Sequence, residues 1–173
     1  MTLLWATLLL ACGPSPEDVA AQLASENPAV REDTARRARN FNSPVVIEGL
    51  IRALDDPSEQ VRLNAIASLI ALDARDAVPK LASMITADPS PDVRREAIDA
   101  LGRMPDPRGV DPIVSLLEET ADTRPPLNAI WAAGQLGDMK ALPVLTRLRE
   151  SSDPYVSYNA NQALRRIRPA TGG

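Results

Sequence analysis

Apolar residues recur along this chain in two interleaved ladders. In the first, Ile47, Val78, Val110 and Leu142 are separated by 31, 32 and 32 positions, and Leu50, Leu81, Ile113 and Leu145 by the same steps. Leu54, Ile85 and Leu117 extend it, and stepping back 31 from Leu50 and Leu54 reaches Val19 and Leu23. The second ladder is Val-x-x-x-Ala or Thr: Val30 with Thr34, Val61 with Ala65, Val93 with Ala97, Val156 with Ala160. Its valines step by 31, 32 and 63, so one copy lies inside the long step. That copy is read at Leu127-Asn128-Ala129-Ile130-Trp131-Ala132, shifted by about three residues. Leu136-Gly137 is then the counterpart of Leu101-Gly102, and Met139 of Met104. Two ladders with one period are the mark of a repeat architecture.

Each ladder has helical spacing. Val93, Ala97, Ala100 and Leu101 fall at i, i+4, i+7 and i+8, on one helix face. Starts are marked by a capping residue followed by proline, at Ser43-Pro44, Asp56-Pro57, Ser90-Pro91, Asp111-Pro112 and Asp153-Pro154. Pro79 and Pro143 stand near helix starts in matching positions of two repeats. Asp56 with Glu59 approximates a capping box, and Gly102 and Gly137 stand where helices should stop. The pattern predicts first helices over 16–25, 44–54, 76–86, 108–119 and 140–150. It predicts second helices over 29–39, 58–71, 91–103, 125–136 and 154–167. A single pair cannot bury its apolar stripe, whereas stacked pairs cover one another. The expected fold is all-α, a right-handed α-solenoid of about five helix pairs over residues 17–168, with 169–173 as a loose tail.

The stretches DPSEQVRLNAIASLIAL at 56–72 and DPSPDVRREAIDALGRM at 88–104 carry a family resemblance. Both place aspartate five residues before a Val-Arg pair, then alanine, then leucine. They resemble HEAT-like repeats of the short, phycobilisome-lyase type. The resemblance implies a scaffold and leaves function open, because such folds host many roles. It also implies that Asp56 and Asp88, with Arg31, Arg62 and Arg94, are structural links between neighbouring repeats. Second helices commonly line the concave side in this family, which directs attention to positions opposite the buried stripe. Those two before the repeat alanine are Leu63, Arg95, Ile130 and Tyr158, and those two after are Ala67, Asp99, Gly134 and Gln162. With Trp131 and Tyr155 nearby, the expected partner-binding set is Leu63, Arg95, Ile130, Trp131, Tyr155, Tyr158 and Gln162, since Trp and Tyr are favoured interface anchors.

The first residues carry an address. Met1 to Ala11 is uncharged and ends at Cys12. An apolar run this short cannot span a bilayer, which needs about 20 residues, but it suits the apolar part of a secretory signal. Leu9-Leu10-Ala11-Cys12 resembles a bacterial lipoprotein box, and Cys12 is the sole cysteine of the chain. The resemblance implies a signal peptide over 1–11, an acylated Cys12, and a tether over 12–16. Gly13, in place of the aspartate that retains such proteins at the inner membrane, points to the outer membrane facing the periplasm. If the segment is not a signal, the alternative is the cytoplasm.

Composition narrows the chemistry. The chain has 173 residues, no histidine and one cysteine, which excludes Ser-His-Asp or Cys-His catalysis and the usual zinc sites. No phosphate-binding glycine loop is present. Charge is uneven: residues 1–120 carry 12 basic and 19 acidic groups, residues 121–173 carry 7 and 4. The overall net of −4 lacks the basic excess of a nucleic-acid binder. The expectation is a non-enzymatic, cofactor-free scaffold for a protein or peptide, anchored to the bacterial envelope through its lipid. The alternatives are an accessory subunit of a lyase-like enzyme complex and a purely structural envelope component.

Overall fold

Proline opens helices in this protein. In the computed structural model, which describes residues 13–167, it is the first residue of five helices. Its missing N–H removes one donor that the first turn would leave unpaired, and its fixed φ suits the helix. The described residues form two compact units that divide between Ser68 and Leu69. Met1–Ala11, Cys12 and residues 168–173 lie outside the described residues, and with them the expectations made for them.

The first unit contains α1 (Pro16–Leu23), α2 (Pro28–Arg37), α3 (Pro44–Ala53) and the beginning of α4 (Glu59–Ala71). Ser15 and Asp18 form a complete capping box at α1, so Ser15 and Pro16 belong to the helix start and not to a tether. Asn27 caps α2. Asp56 does not sit directly at the head of α4: its carboxylate accepts the Ser58 N–H and turns the chain ahead of Glu59. Helix α1 packs on α2 and α3. Val19, Leu23, Leu50 and Leu54 of the first ladder are buried there, with Ala35, Val61 and Ala65 of the second helices, while Ile47 is half-buried and its neighbour Val46 buried.

The second unit contains α5 (Val78–Ala87), α6 (Pro91–Arg103), α7 (Val110–Thr120), α8 (Leu127–Leu136), α9 (Leu142–Arg149) and α10 (Pro154–Arg166). Helices α5, α7 and α9 form one layer, and α6, α8 and α10 the other. Each first helix packs on its own second helix as α5 on α6, α7 on α8 and α9 on α10. A 3-10 turn feeds each first helix, at Arg75–Ala77, Pro107–Gly109 and Met139–Ala141. Because that turn starts α7 at Val110, Asp111 lies inside the helix and is not its cap. Ser90 and Asp153 do cap α6 and α10 with their side chains. Gly137 closes α8 in the left-handed conformation, at φ 67°. Gly102 stops nothing, since it lies buried inside α6, which runs on to Arg103. Val78, Leu81, Ile85, Val93, Ala97, Leu101, Ile113, Leu117 and Leu145 are all buried, so both ladders form the core. Each fully buried Val, Leu or Ile contributes about 1.5–3 kcal/mol. The all-α class of stacked helix pairs expected from the repeat is the fold found.

Candidate functional site: the second-helix face and the turns between repeats

Two recurring contacts fix the register of the repeats. Asn64 Nδ2 donates to the Glu32 carbonyl at 3.2 Å, and Asn128 Nδ2 donates to the Arg95 carbonyl at 3.0 Å. The second recurrence is a close approach. A Cβ on Gly102 would meet the Trp131 ring at 2.4 Å, and one on Gly134 would meet Ala163 Cα at 2.8 Å. In both cases the neighbour lies 29 positions further on. Gly134 is therefore the counterpart of Gly102, a step of 32.

The fourth copy is thus in register after all, and the expected three-residue shift is wrong. Buried Pro125 stands where the other copies have valine, and Ala129 is the repeat alanine. The outward residue two before it is Leu127, which is exposed. Ile130, expected on the binding face, is fully buried and cannot meet a partner there. The match of Leu136-Gly137 to Leu101-Gly102 misled because the two glycines do different jobs, one ending a helix and the other admitting a tryptophan.

In the second unit, the outward positions of α6, α8 and α10 carry Arg95, Leu127 and Tyr158 in turn. Arg95 is exposed and pairs with Asp92 at 3.1 Å. Tyr155 and Tyr158 project from α10 at 73% and 63% exposure. Gln162 is half-buried beside them on the same helix, and Trp131 is half-buried against Gly102. Asn128 also donates to Asp99 Oδ1 at 3.1 Å, tying α8 to α6. Leu63 belongs to α4 in the first unit and is half-buried. The sequence reading missed Leu127, and the signal that finds it is the spacing of 64 between Asn64 and Asn128.

In three copies an arginine follows the repeat valine and clasps the turn before its own helix. Arg31 Nη1 donates to the carbonyls of Ser25 and Glu26, Arg62 Nη1 to those of Asp56 and Pro57, and Arg94 Nη1 to those of Asp88 and Pro89. The contact is to residues six and five positions back in all three. Arg31 also reaches the next turn, donating from Nε and Nη2 to the two oxygens of Asp56 at 2.6 and 3.0 Å. Arg31 and Asp56 thus link neighbouring turns, as the resemblance implies, whereas Arg94 holds its own turn.

Ion pairs and turns account for the altered titration of the carboxylates. Burial pushes Asp56 up, but hydrogen bonds from Arg31 and the Ser58 N–H, with the charges of Arg31 and Arg62, outweigh it and hold the group low. Hydrogen bonds from the Arg108 side chain and N–H bring Asp106 down to about 2. Among the described residues, no cluster of His, Cys, Asp and Glu is arranged to hold a metal, and no helix is long and apolar enough to cross a membrane.

The profile of the HEAT repeats matches residues 16–89 and 78–165. The chain belongs to the HEAT-repeat family. Among curated proteins no sequence matches. Solved structures do match. The complex of CpcE and CpcF of phycocyanin lyase from Nostoc sp. PCC7120 aligns with TM-score 0.75 and 21% identity, covering 96% of this chain and 70% of the other. An engineered protein aligns with TM-score 0.65 and 23% identity, over 88% and 78%. A designed armadillo repeat protein in complex with the peptide (KR)4 aligns with TM-score 0.62 and 22% identity, over 87% and 81%. At these identities the likeness is one of fold alone, a stack of helical repeats.

Proposed function

We propose that this HEAT protein is a non-enzymatic scaffold that binds a protein or peptide on its second-helix face. The observation that carries the reading is the exposure of Tyr155 and Tyr158 on α10. In a chain with five aromatic residues, two stand in solvent on neighbouring turns of one helix. Exposed phenol rings of this kind lose water at little entropic cost when a partner covers them. Leu127 adds an aliphatic contact and Arg95 a cation. The peptide-bound armadillo design and the two-protein CpcE–CpcF complex support the reading by fold.

The scaffold is anchored as a lipoprotein through Cys12 in the bacterial envelope, at the outer membrane facing the periplasm. The lipobox-like Leu9-Leu10-Ala11-Cys12 supports this. A lipoprotein carries more than one acyl chain, and stable attachment needs at least two anchoring signals. The intact mass and membrane fractionation of the protein and its Cys12→Ala variant test the address. A mature chain starting at Cys12 with acyl mass, released by the substitution, is expected. An unprocessed soluble protein in both cases overturns the anchor. A second reading, an accessory subunit of a lyase-like complex, draws on the likeness to CpcE and CpcF.

A further inference from the structure

Arg31 has two duties, and Arg94 is shown with one of them. Arg31 holds its own turn with Nη1 and the next turn's aspartate with Nε and Nη2. Arg94 holds its own turn with Nη1 in the same way. Stepping 32 from Asp56 reaches Asp88, and stepping 32 again reaches Thr120, which has no carboxylate. The Thr120 hydroxyl instead donates to the Leu116 carbonyl at the end of α7. Among the described residues no carboxylate pairs with Arg94.

Arg94 borders a cleft of about 320 Å³ between α5, α6, α7 and α8, walled chiefly by Ile85, Ile98, Leu116 and Pro126. The cleft beside Arg31 shares its plan: Leu23 and Ala53 stand where Ile85 and Leu116 do. There the arginine faces Asp56 and Pro57 of the chain itself. A guanidinium with a free planar edge beside an apolar wall suits a carboxylate next to an apolar side chain.

We infer that the Arg94 cleft is a binding site for an acidic segment of a partner protein, whose aspartate or glutamate takes the place that Asp56 holds against Arg31. Its apolar neighbour lies against Ile85, Ile98 and Leu116. Arg95 of the second-helix face borders the cleft, but no residue of α10 lines it, so the tyrosines are not part of the site.

The probe is an acetylated and amidated hexapeptide copying residues 54–59, Leu-Asp-Asp-Pro-Ser-Glu, the chain's own version of the missing turn. It is titrated into the full-length protein with labelled Ile and Leu methyl groups, observed by NMR. Saturable shifts are expected at Ile85, Ile98 and Leu116. Replacing the peptide's second aspartate by asparagine weakens binding by about tenfold or more, as does Arg94→Gln. Thr120→Asp supplies an internal carboxylate at the register position and lowers binding in the same way without lowering the melting temperature. That variant decides the matter if Arg94→Gln fails to fold. Tyr158→Ala leaves peptide binding unchanged, so failure here and failure of the tyrosine face are distinguishable. No saturable shift up to about 10 mM, shifts scattered over other surface cations, or binding indifferent to both Arg94→Gln and Thr120→Asp would overturn the assignment.

Discussion

At Gly102 and Gly134 the stack has room for a hydrogen and nothing larger. The obstacles differ. Trp131 covers Gly102 with a ring, whereas Gly134 meets the backbone of Ala163. Alanine is the better helix former by about 1 kcal/mol, yet overpacking costs about 1–3 kcal/mol. Gly102→Ala is therefore expected to destabilise, and to do so less when Trp131 is also alanine, because the ring has gone. Gly134→Ala is expected to destabilise whatever side chain is trimmed at 163. Urea unfolding of the single and double variants checks both. Equal costs for Gly102→Ala with and without Trp131 would show that the ring is not the obstacle. These glycines also show the limits of the sequence. Ladders of valine and leucine are legible because burial dictates them. A glycine that caps a helix and one that admits a neighbour look alike until the contact is seen. Pro125 hid the fourth copy for a related reason: it is buried in the valine's place, but its identity signals a break.

Among elements, the helices were legible to within about two residues, and most closely at the starts of α1, α2, α6 and α10, where proline follows a capping side chain. What the periodicity could not supply were the 3-10 turns, where the chain tightens for three residues before α5, α7 and α9. The link between α2 and the turn leading to α4 rests on Arg31 and Asp56, whose side chains are 14% and 7% exposed. Asp56 titrates below its ordinary value in the folded chain. Its contribution to stability is thus present above the unfolded carboxylate range, near pH 4, and is lost as pH falls through the lower folded value. Asp106, at about 2, contributes in the same direction, with the loss running from about pH 4 down toward 2. Asp56→Asn is expected to be less stable than the parent at pH 7, with a smaller further loss between pH 5 and 3. Thermal melts across that range measure it, and an unchanged acid slope would remove Asp56 from the account.

At the scale of the whole molecule, Tyr155 and Tyr158 contribute little to folding, since both stand in water. Their replacement by alanine should change stability by no more than about 0.5 kcal/mol. Captured partner should fall by about tenfold or more when cross-linked envelope extracts are compared, the size of effect that truncating an interface anchor produces. Equal capture by parent and variants at matched stability would rule out the tyrosine face. Charge points the same way only in part, because Arg95 is already paired with Asp92.

The constant step between second helices has a consequence for anything that lies across them. Neighbouring helix axes stand about 8–10 Å apart, about one three-residue turn of a polyproline II chain, after which the side chain returns to the same face. On the proposed binding reading, Arg95, Leu127 and Tyr158 would act as marks on a ruler, one for every third residue of a peptide. Their order, cation, aliphatic, phenol, is not the same backwards. A peptide bound there would be read in one direction, since its reverse sequence would set the outer two side chains against the wrong marks.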